Sequence, residues 1–460
     1  MKSDVVIIGG GMAGLATGAL LAKQGRRVTV LERGNQPGGR AYTYEDQGYT
    51  LNYGPHAMYT PESGILGEVM RRLGRDVPAC GYVDAMHAYW ADGDRLAVMG
   101  AKPHQVLTTR LFSLGERLQV VKIMLAIRSA RTDAIAPGTT WREWVEGQTG
   151  DPAVRRFANA LGTINSYTRP AADLDAGWLL AHFQRTLFAK DSVGYMSGGF
   201  RSMYNIFIDE LRANGGELIT GARVDRLETD DALHGESSTG RIVAAITPDA
   251  RYEAGAFVCT LPPQDATAIA PEGSALRAEM ERWSRLDDVR ALCMDLGFGR
   301  KVRDNLALVF DIERDLYYSV HSYTTPDLAP ANGQLLHAMA YLSCEEAADP
   351  ALLQRRKDEL MAGLDLHFPG WREAIAVERT LSAVRVVGAR QTPENRKLLV
   401  PLRSAAAGNL YFANDARDLP NALAGISLAA AVEVADALAG GGTVEHGRWK
   451  VDEGVAAVAL

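Results

Sequence analysis

The sequence predicts an α/β protein, and three separated stretches predict it. Asp4 to Arg40 reads as strand, glycine turn, helix, second strand and acid. Near Tyr195 another glycine turn opens a helix and a strand, and three more short strands follow it. At Leu410 an apolar strand and a turn lead into a long alanine-rich helix. Together they describe a Rossmann-like, mostly parallel sheet with an antiparallel meander. The segments between them carry a different pattern and read as an inserted α+β domain.

The opening stretch carries the most chemistry. Asp4 to Ile8 is short, β-branched and unbroken, as a buried parallel strand should be. Gly9, Gly11 and Gly14 follow as G-x-G-x-x-G. The first permits a tight turn, the second lets backbone approach a pyrophosphate, and the third lets helix and strand pack closely. Met12 to Lys23 is the helix, its free N–H groups facing the phosphates. Arg27 to Leu31 is the second strand, and Glu32 ends it about 20 residues on, where a carboxylate accepts from a ribose hydroxyl. The glycines interrupt the apolar run behind Lys2, so that run reads as a strand rather than a signal peptide.

Composition narrows the class. At 460 residues the chain is long enough for two substantial domains. A formal net charge of −7 argues against a general nucleic-acid binder. No apolar run reaches the roughly 18 residues that span a bilayer. Cys80, Cys259, Cys293 and Cys344 are scattered, without C-x-x-C. That fits a reduced, cytoplasmic protein without a metal site or disulfide framework.

After Glu32 and Arg33 comes Pro37-Gly38-Gly39-Arg40, a second glycine turn bearing an arginine suited to a pyrophosphate. With it the stretch resembles the fingerprint of the FAD-containing amine oxidase superfamily, which includes monoamine oxidases, protoporphyrinogen oxidases and bacterial phytoene desaturases. The resemblance implies FAD as cofactor, held in a Rossmann-like FAD-binding domain. Gly48 to Tyr59 (GYTLNYGPHAMY) resembles the phytoene desaturases more than the amine oxidases. In the superfamily this backbone passes the flavin ring, which brings in Gly54, Pro55 and His56. The stretch from Gly194 (GYMSGGFRSMYNIFIDELRANGGELITGARVDRLE) is similar to the superfamily's middle cofactor segment, and Val224 matches the residue whose backbone pairs with adenine. The stretch from Gly408 (GNLYFANDARDLPNALAGISLAAAVEVADAL) resembles the terminal FAD motif. It implies Asp415 near the ribityl chain and pyrophosphate, and Gly425, Ile426 and Ser427 at a helix start aimed at the flavin. Asn414 stands where the family has glycine, and the second glycine of the helix start is alanine.

These readings divide the chain. Residues 1–81, 192–263 and 382–440 form the FAD-binding domain, residues 82–191 and 264–381 the substrate domain, and 441–460 a tail. Tyr82 to Asp191 reads as mainly helical. Capping boxes at Ser113/Glu116 and Thr140/Glu143 and the pair Asp151-Pro152 open successive helices. The helix from Arg117 to Arg131 is apolar around most of its circumference, with its arginines grouped. Burial and contact with a membrane surface both remain open for it. In the second substrate segment Leu316 to Tyr323 reads as a strand, with Tyr317, Ser319, His321 and Tyr323 on one face.

A flavin makes the reaction redox. The phytoene-desaturase-like stretches favour dehydrogenation of a C–C bond in an apolar, isoprenoid-like substrate, the electrons passing on to oxygen, a quinone or another carrier. Amine oxidation is the alternative; it calls for an aromatic cage, and Tyr411 and Phe412 sit on a strand expected to be buried. A lipid carrier without redox chemistry is disfavoured by the intact glycines, Glu32 and Arg40. His56 and His321 are the candidate catalytic residues, as donors or proton carriers.

Overall fold

The structure is a computed structural model that describes residues 2–54, 57–83, 85–99, 109–230 and 240–440. Pro55, His56, residues 231–239 of the expected polar turn and the expected tail at 441–460 lie outside the described residues.

Strand β1 (Lys2–Ile8) is central in the first of two large sheets. β2 (Val28–Leu31) runs parallel beside it with Leu31 opposite Ile8, and Glu217–Ile219 extends the same side. On the other side Arg251–Cys259 is parallel to β1, with Cys259 opposite Ile8. This long strand changes partner along its length. Its first residues pair antiparallel with Ile242–Ile246, which pairs with Arg226–Thr229 to complete the expected meander. Its last residues pair parallel with Leu410–Phe412. The carboxyl ends of five parallel strands therefore lie along one edge, where open α/β sheets hold their ligands.

Helix α1 (Met12–Lys23) crosses this sheet and is buried from Met12 to Ala22. It packs against Ala424–Leu438 and Arg201–Ala213. Gly14 lets α1 lie close to the end of β1, since a Cβ there would stand 1.9 Å from the Gly9 carbonyl oxygen.

The second sheet has the order Ile375–Val387, Val289–Phe298, Gln334–Leu342, Leu316–Val320, Leu308–Asp311, Ala88–Asp92 and Arg95–Val98. Leu316, Tyr318 and Val320 share a core with Leu360, Leu364 and Phe368 at the end of the helix Pro350–His367. The opposite face, with Tyr317, Met339 and Tyr341, meets the helical region. That region comprises Leu114–Ser129, Trp141–Gln148, Pro152–Ser166 and Ala176–Thr186. Both expected capping boxes form, and the Asp151 carboxylate accepts from the Ala153 and Val154 amides.

The structure corrects three expectations. Residues 88–98, read within a mainly helical stretch, form a hairpin on the edge of the second sheet. The strand expected from Leu316 to Tyr323 ends at Val320, and His321–Thr324 is a helical turn. The last paired residues are Ser319, opposite Leu308, and Val320, opposite Leu336; the chain then turns so that the Thr325 hydroxyl donates to the Tyr195 carbonyl. Tyr317 and Ser319 share a face as expected, whereas His321 and Tyr323 do not continue it. Ile375–Val387, not foreseen as a strand, continues past residues 381 and 382, with a bulge at Ser382 and Ala383.

Candidate active site

A cavity of about 980 Å³ opens at the carboxyl edge of the first sheet, within the size range of small-molecule sites. Each parallel strand leads into its wall: Gly9 follows β1, Glu32 follows β2, Thr260 follows Cys259, and Ala222 and Asn414 lie just past Ile219 and Phe412.

At one end Glu32 is fixed by its neighbours. One carboxylate oxygen accepts from the Gly10 amide at 2.8 Å and the other from the Gly34 amide at 2.7 Å. A carboxylate offers about four acceptor positions, so two remain for the hydroxyls of a ribose. Arg33, Ala222, Arg223 and Val224 share this end, and the Ala222 amide donates to the Glu32 carbonyl at 2.8 Å.

The middle is built from two glycine turns laid against each other. The Gly38 amide donates to the Gly10 carbonyl at 2.8 Å, and Gly11 and Gly38 form a parallel bridge. A Cβ at Gly11 would meet nothing nearer than Gly39 Cα at 3.9 Å, so this surface is a bare cradle facing the cavity. Met12 and Ala13 present the first turn of α1 to the same space, so its unpaired amides favour an anion there.

Arg40 joins the first motif to the last. Its guanidinium donates to Asp415 at 2.8 Å and to the Val386 carbonyl at 3.1 Å. Burial alone would lower the Arg40 pKa and raise that of Asp415. Their mutual attraction outweighs it, so Arg40 is raised and Asp415 is held below the ordinary carboxylate range. The Asp415 oxygen bonded to Arg40 also accepts from the Gly388 amide at 2.8 Å. The other, Oδ1, is buried with no hydrogen-bond partner among the described residues, which suits it to a ligand hydroxyl.

The far end is closed by Tyr53 and Gly54, by Leu423, Ala424 and Ser427 at the start of the helix Ala424–Leu438, and by Thr380 to Val386. The pairing of that last strand with Val289–Phe298 slips at Ser382 and Ala383, and Ala383 has a φ of 49°. A bulge beside a site re-aims the backbone that lines it.

The wall thus brings together Gly9, Gly11, Glu32, Arg33, Gly38, Gly39, Arg40, Gly54, Val224, Asp415 and Ser427. Gly14, Gly425 and Ile426 stand behind it: Gly14 seats α1, while the other two belong to the first turn of the last helix. Asn414, where the family has glycine, ties two strand ends, its amide donating to the Leu261 carbonyl at 3.2 Å.

His321 is not on the cavity wall. It is buried, with its ring 4.3 Å from the Tyr195 ring and stacked on His337 at 5.5 Å. His337 belongs to a polar row that crosses four strands in register: Arg379, Asp295, His337 and Ser319. Arg379 Nε donates to Asp295 at 2.9 Å, and Asp295 accepts from His337 Nδ1 at 2.7 Å. The Ser319 hydroxyl donates to the Tyr195 hydroxyl at 2.9 Å, which is 2.5 Å from that of Tyr317. The Arg379 guanidinium also lies 5.8 Å from the ring of Tyr53, so the row abuts the wall.

Sequence reasoning missed this row and the Thr380–Val386 wall. It also passed over Thr260, Leu261 and Pro262, which line the cavity. The Thr260 hydroxyl donates to the Ile8 carbonyl at 2.9 Å and fixes the first glycine turn. A threonine directly after an expected strand and just before a proline pair was the available signal.

A ribose-facing acid, a bare glycine cradle, two helix starts and an orphaned carboxylate oxygen define a dinucleotide-binding oxidoreductase, and they fit FAD. The chain belongs to the flavin-containing amine oxidoreductase family, whose model matches residues 12–439, and it is an FAD-dependent oxidoreductase. It is 38% identical to the phytoene dehydrogenase of Streptomyces griseus over 96 residues, 20% of this chain and 19% of that protein. The matched stretches span a quarter or less of the length of the curated relatives. The fold is similar to that of an oxidoreductase from Methanosarcina mazei, with a TM-score of 0.75, 17% identity and coverage of 94% of this chain and 99% of the other. It is also similar to putrescine oxidase bound to putrescine, with a TM-score of 0.68, 15% identity and coverage of 96% and 98%.

Proposed function

We propose that this enzyme dehydrogenates a C–C bond of an apolar, isoprenoid-like substrate. When bound, FAD supplies the hydride acceptor. One C–H bond of the substrate leaves with its electron pair as hydride. The neighbouring carbon loses a proton, and the electron pair left behind forms the double bond.

One observation carries this reading. Leu381 and Val384 line the cavity, and directly across the sheet from them lie Cys293 and Ala291, then Met339 and Tyr341, with Tyr317 beyond Met339. All five of these further residues are buried, so beyond Leu381 and Val384 the sheet carries a largely apolar layer packed under the helical region. Apolar surroundings on that side of the cavity favour a hydrocarbon chain over a charged amine. The likeness to a phytoene dehydrogenase supports the same substrate class.

The chain's own groups divide the remaining work. The amides at the start of Ala424–Leu438 favour negative charge at the far end of the cavity. The leaving proton has a path through the Tyr317 and Tyr195 hydroxyls, which would relay it to the imidazole of His321 against Tyr195. His56 remains the second candidate for that role.

The test is an anaerobic screen in which FAD-loaded protein is mixed with polyene precursors, amines or amino acids. Flavin bleaching is followed at about 450 nm, a general flavin absorption. Bleaching by polyene precursors and not by amines is expected. Bleaching by amines alone overturns the reading in favour of amine oxidation. Reoxidation with oxygen or a quinone then identifies the acceptor.

A further inference from the structure

The helix Leu114–Ser129 has two apolar faces. Val120, Ile123 and Ile127 are buried against the helices Pro152–Ser166 and Ala176–Thr186. The other face is open: Leu114 is 68% exposed, Leu118 58% and Leu125 55%. At 3.6 residues per turn these three and Val121 fall within about 60° of arc. Among the described residues they are the densest group of large exposed apolar side chains.

Cations border this strip on both sides. Arg117 and Arg128 follow one flank, and Lys122 follows the other. The Arg128 guanidinium lies 5.8 Å from the ring of Phe188, which is itself 39% exposed and widens the apolar patch. The one acid in this helix, Glu116, is turned back into the capping box, where it accepts from the Ser113 amide. The formal charge of the whole chain is −7, so this positive border is a local feature set against the overall sign.

We propose that this helix lies on an anionic lipid bilayer, with Leu114, Leu118, Val121 and Leu125 among the acyl chains and Arg117, Lys122 and Arg128 at the headgroups. An amphipathic helix with long basic side chains beside a leucine strip meets both chemistries of such a surface. A second copy of the chain fits less well, because a two-fold contact would bring the two sets of cations together. No helix among the described residues is long and apolar enough to cross a membrane, so the contact is peripheral. The inference does not depend on the substrate reading, since neither the helix nor its test involves turnover.

The experiment is vesicle flotation with the full FAD-loaded chain, using phosphatidylcholine vesicles with and without phosphatidylglycerol. Flotation with the anionic vesicles, weakened at high salt, is expected. The variant Leu118→Glu/Leu125→Glu is expected to lose about tenfold or more in partitioning. Lys122→Glu/Arg128→Glu should lose the preference for anionic lipid. All four positions are at the surface, and flavin content and melting temperature check that both variants fold. Absence of flotation for the wild type overturns the proposal. So does undiminished flotation of the leucine variant, or a leucine-dependent dimer in light scattering, which would assign the strip to a second copy.

Discussion

Arg40 and Asp415 stand 375 positions apart in sequence and 2.8 Å apart in space. That one ion pair fixes the second glycine turn to the last motif, and Glu32 does the same work for the first glycine turn through two backbone amides. Glu32→Ala or Arg40→Ala should each cost about 2 kcal/mol of FAD affinity, the scale of a hydrogen bond to a charged group. Flavin per protein after gel filtration measures it, and normal flavin content in both variants would refute the assignment. His321→Ala and His56→Ala should keep FAD and lower turnover by about 10²-fold or more if a proton passes through them. Unchanged rates would remove both from the proton path. Glu32, Arg40 and Asp415 were legible in the sequence because each sits in a short motif whose chemistry demands its residue type. The Arg379–Asp295–His337–Ser319 row was not, because its members come from four strands and only the pairing register brings them together.

Among the elements, α1 shows how little tolerance the site has. Its closeness to β1 depends on Gly14, and a larger side chain there must push against the Gly9 carbonyl. Gly14→Val should therefore lower the melting temperature by several degrees and shed flavin on gel filtration; wild-type behaviour in both assays would mean that the helix can shift without cost. Elements with strong local signals, such as the capped helices and the strands around the glycine turns, were readable from sequence. Ile375–Val387 was not, because charged and apolar residues mix along it and the bulge at Ser382 and Ala383 breaks its period of two. The turn at His321 was hidden for the opposite reason. The alternating pattern continues in sequence past the last residues that pair, Ser319 with Leu308 and Val320 with Leu336.

For the molecule as a whole, burial sets a pH limit. His182 and His367 are buried, and burial pushes each down to about 4 from an ordinary value of 6.5. For His367 the nearby Arg303 and Arg314 add to the effect. Both are neutral in the fold, and the unfolded chain takes up a proton near the ordinary value. Their contribution to stability is therefore complete above pH 6.5 and is lost as pH falls towards about 4. For His182, whose Nε2–H donates to the Asn165 carbonyl at 3.2 Å, the loss is on the order of 3 kcal/mol. Melting temperature should hold near neutrality and fall through this window, with a shallower fall in His182→Gln; a flat profile would contradict the burial. At the same scale, the two sheets meet at a cavity that no single stretch of sequence encloses. The most direct measurement is a crystal structure of the flavin-loaded protein. It should contain one FAD, its adenosine beside Val224 and Glu32, its pyrophosphate between Gly11 and Gly39, and its ring at the start of Ala424–Leu438 with Asp415 Oδ1 bonded. A nucleotide that leaves Val224 or Asp415 out of contact, or that carries no flavin, would contradict it.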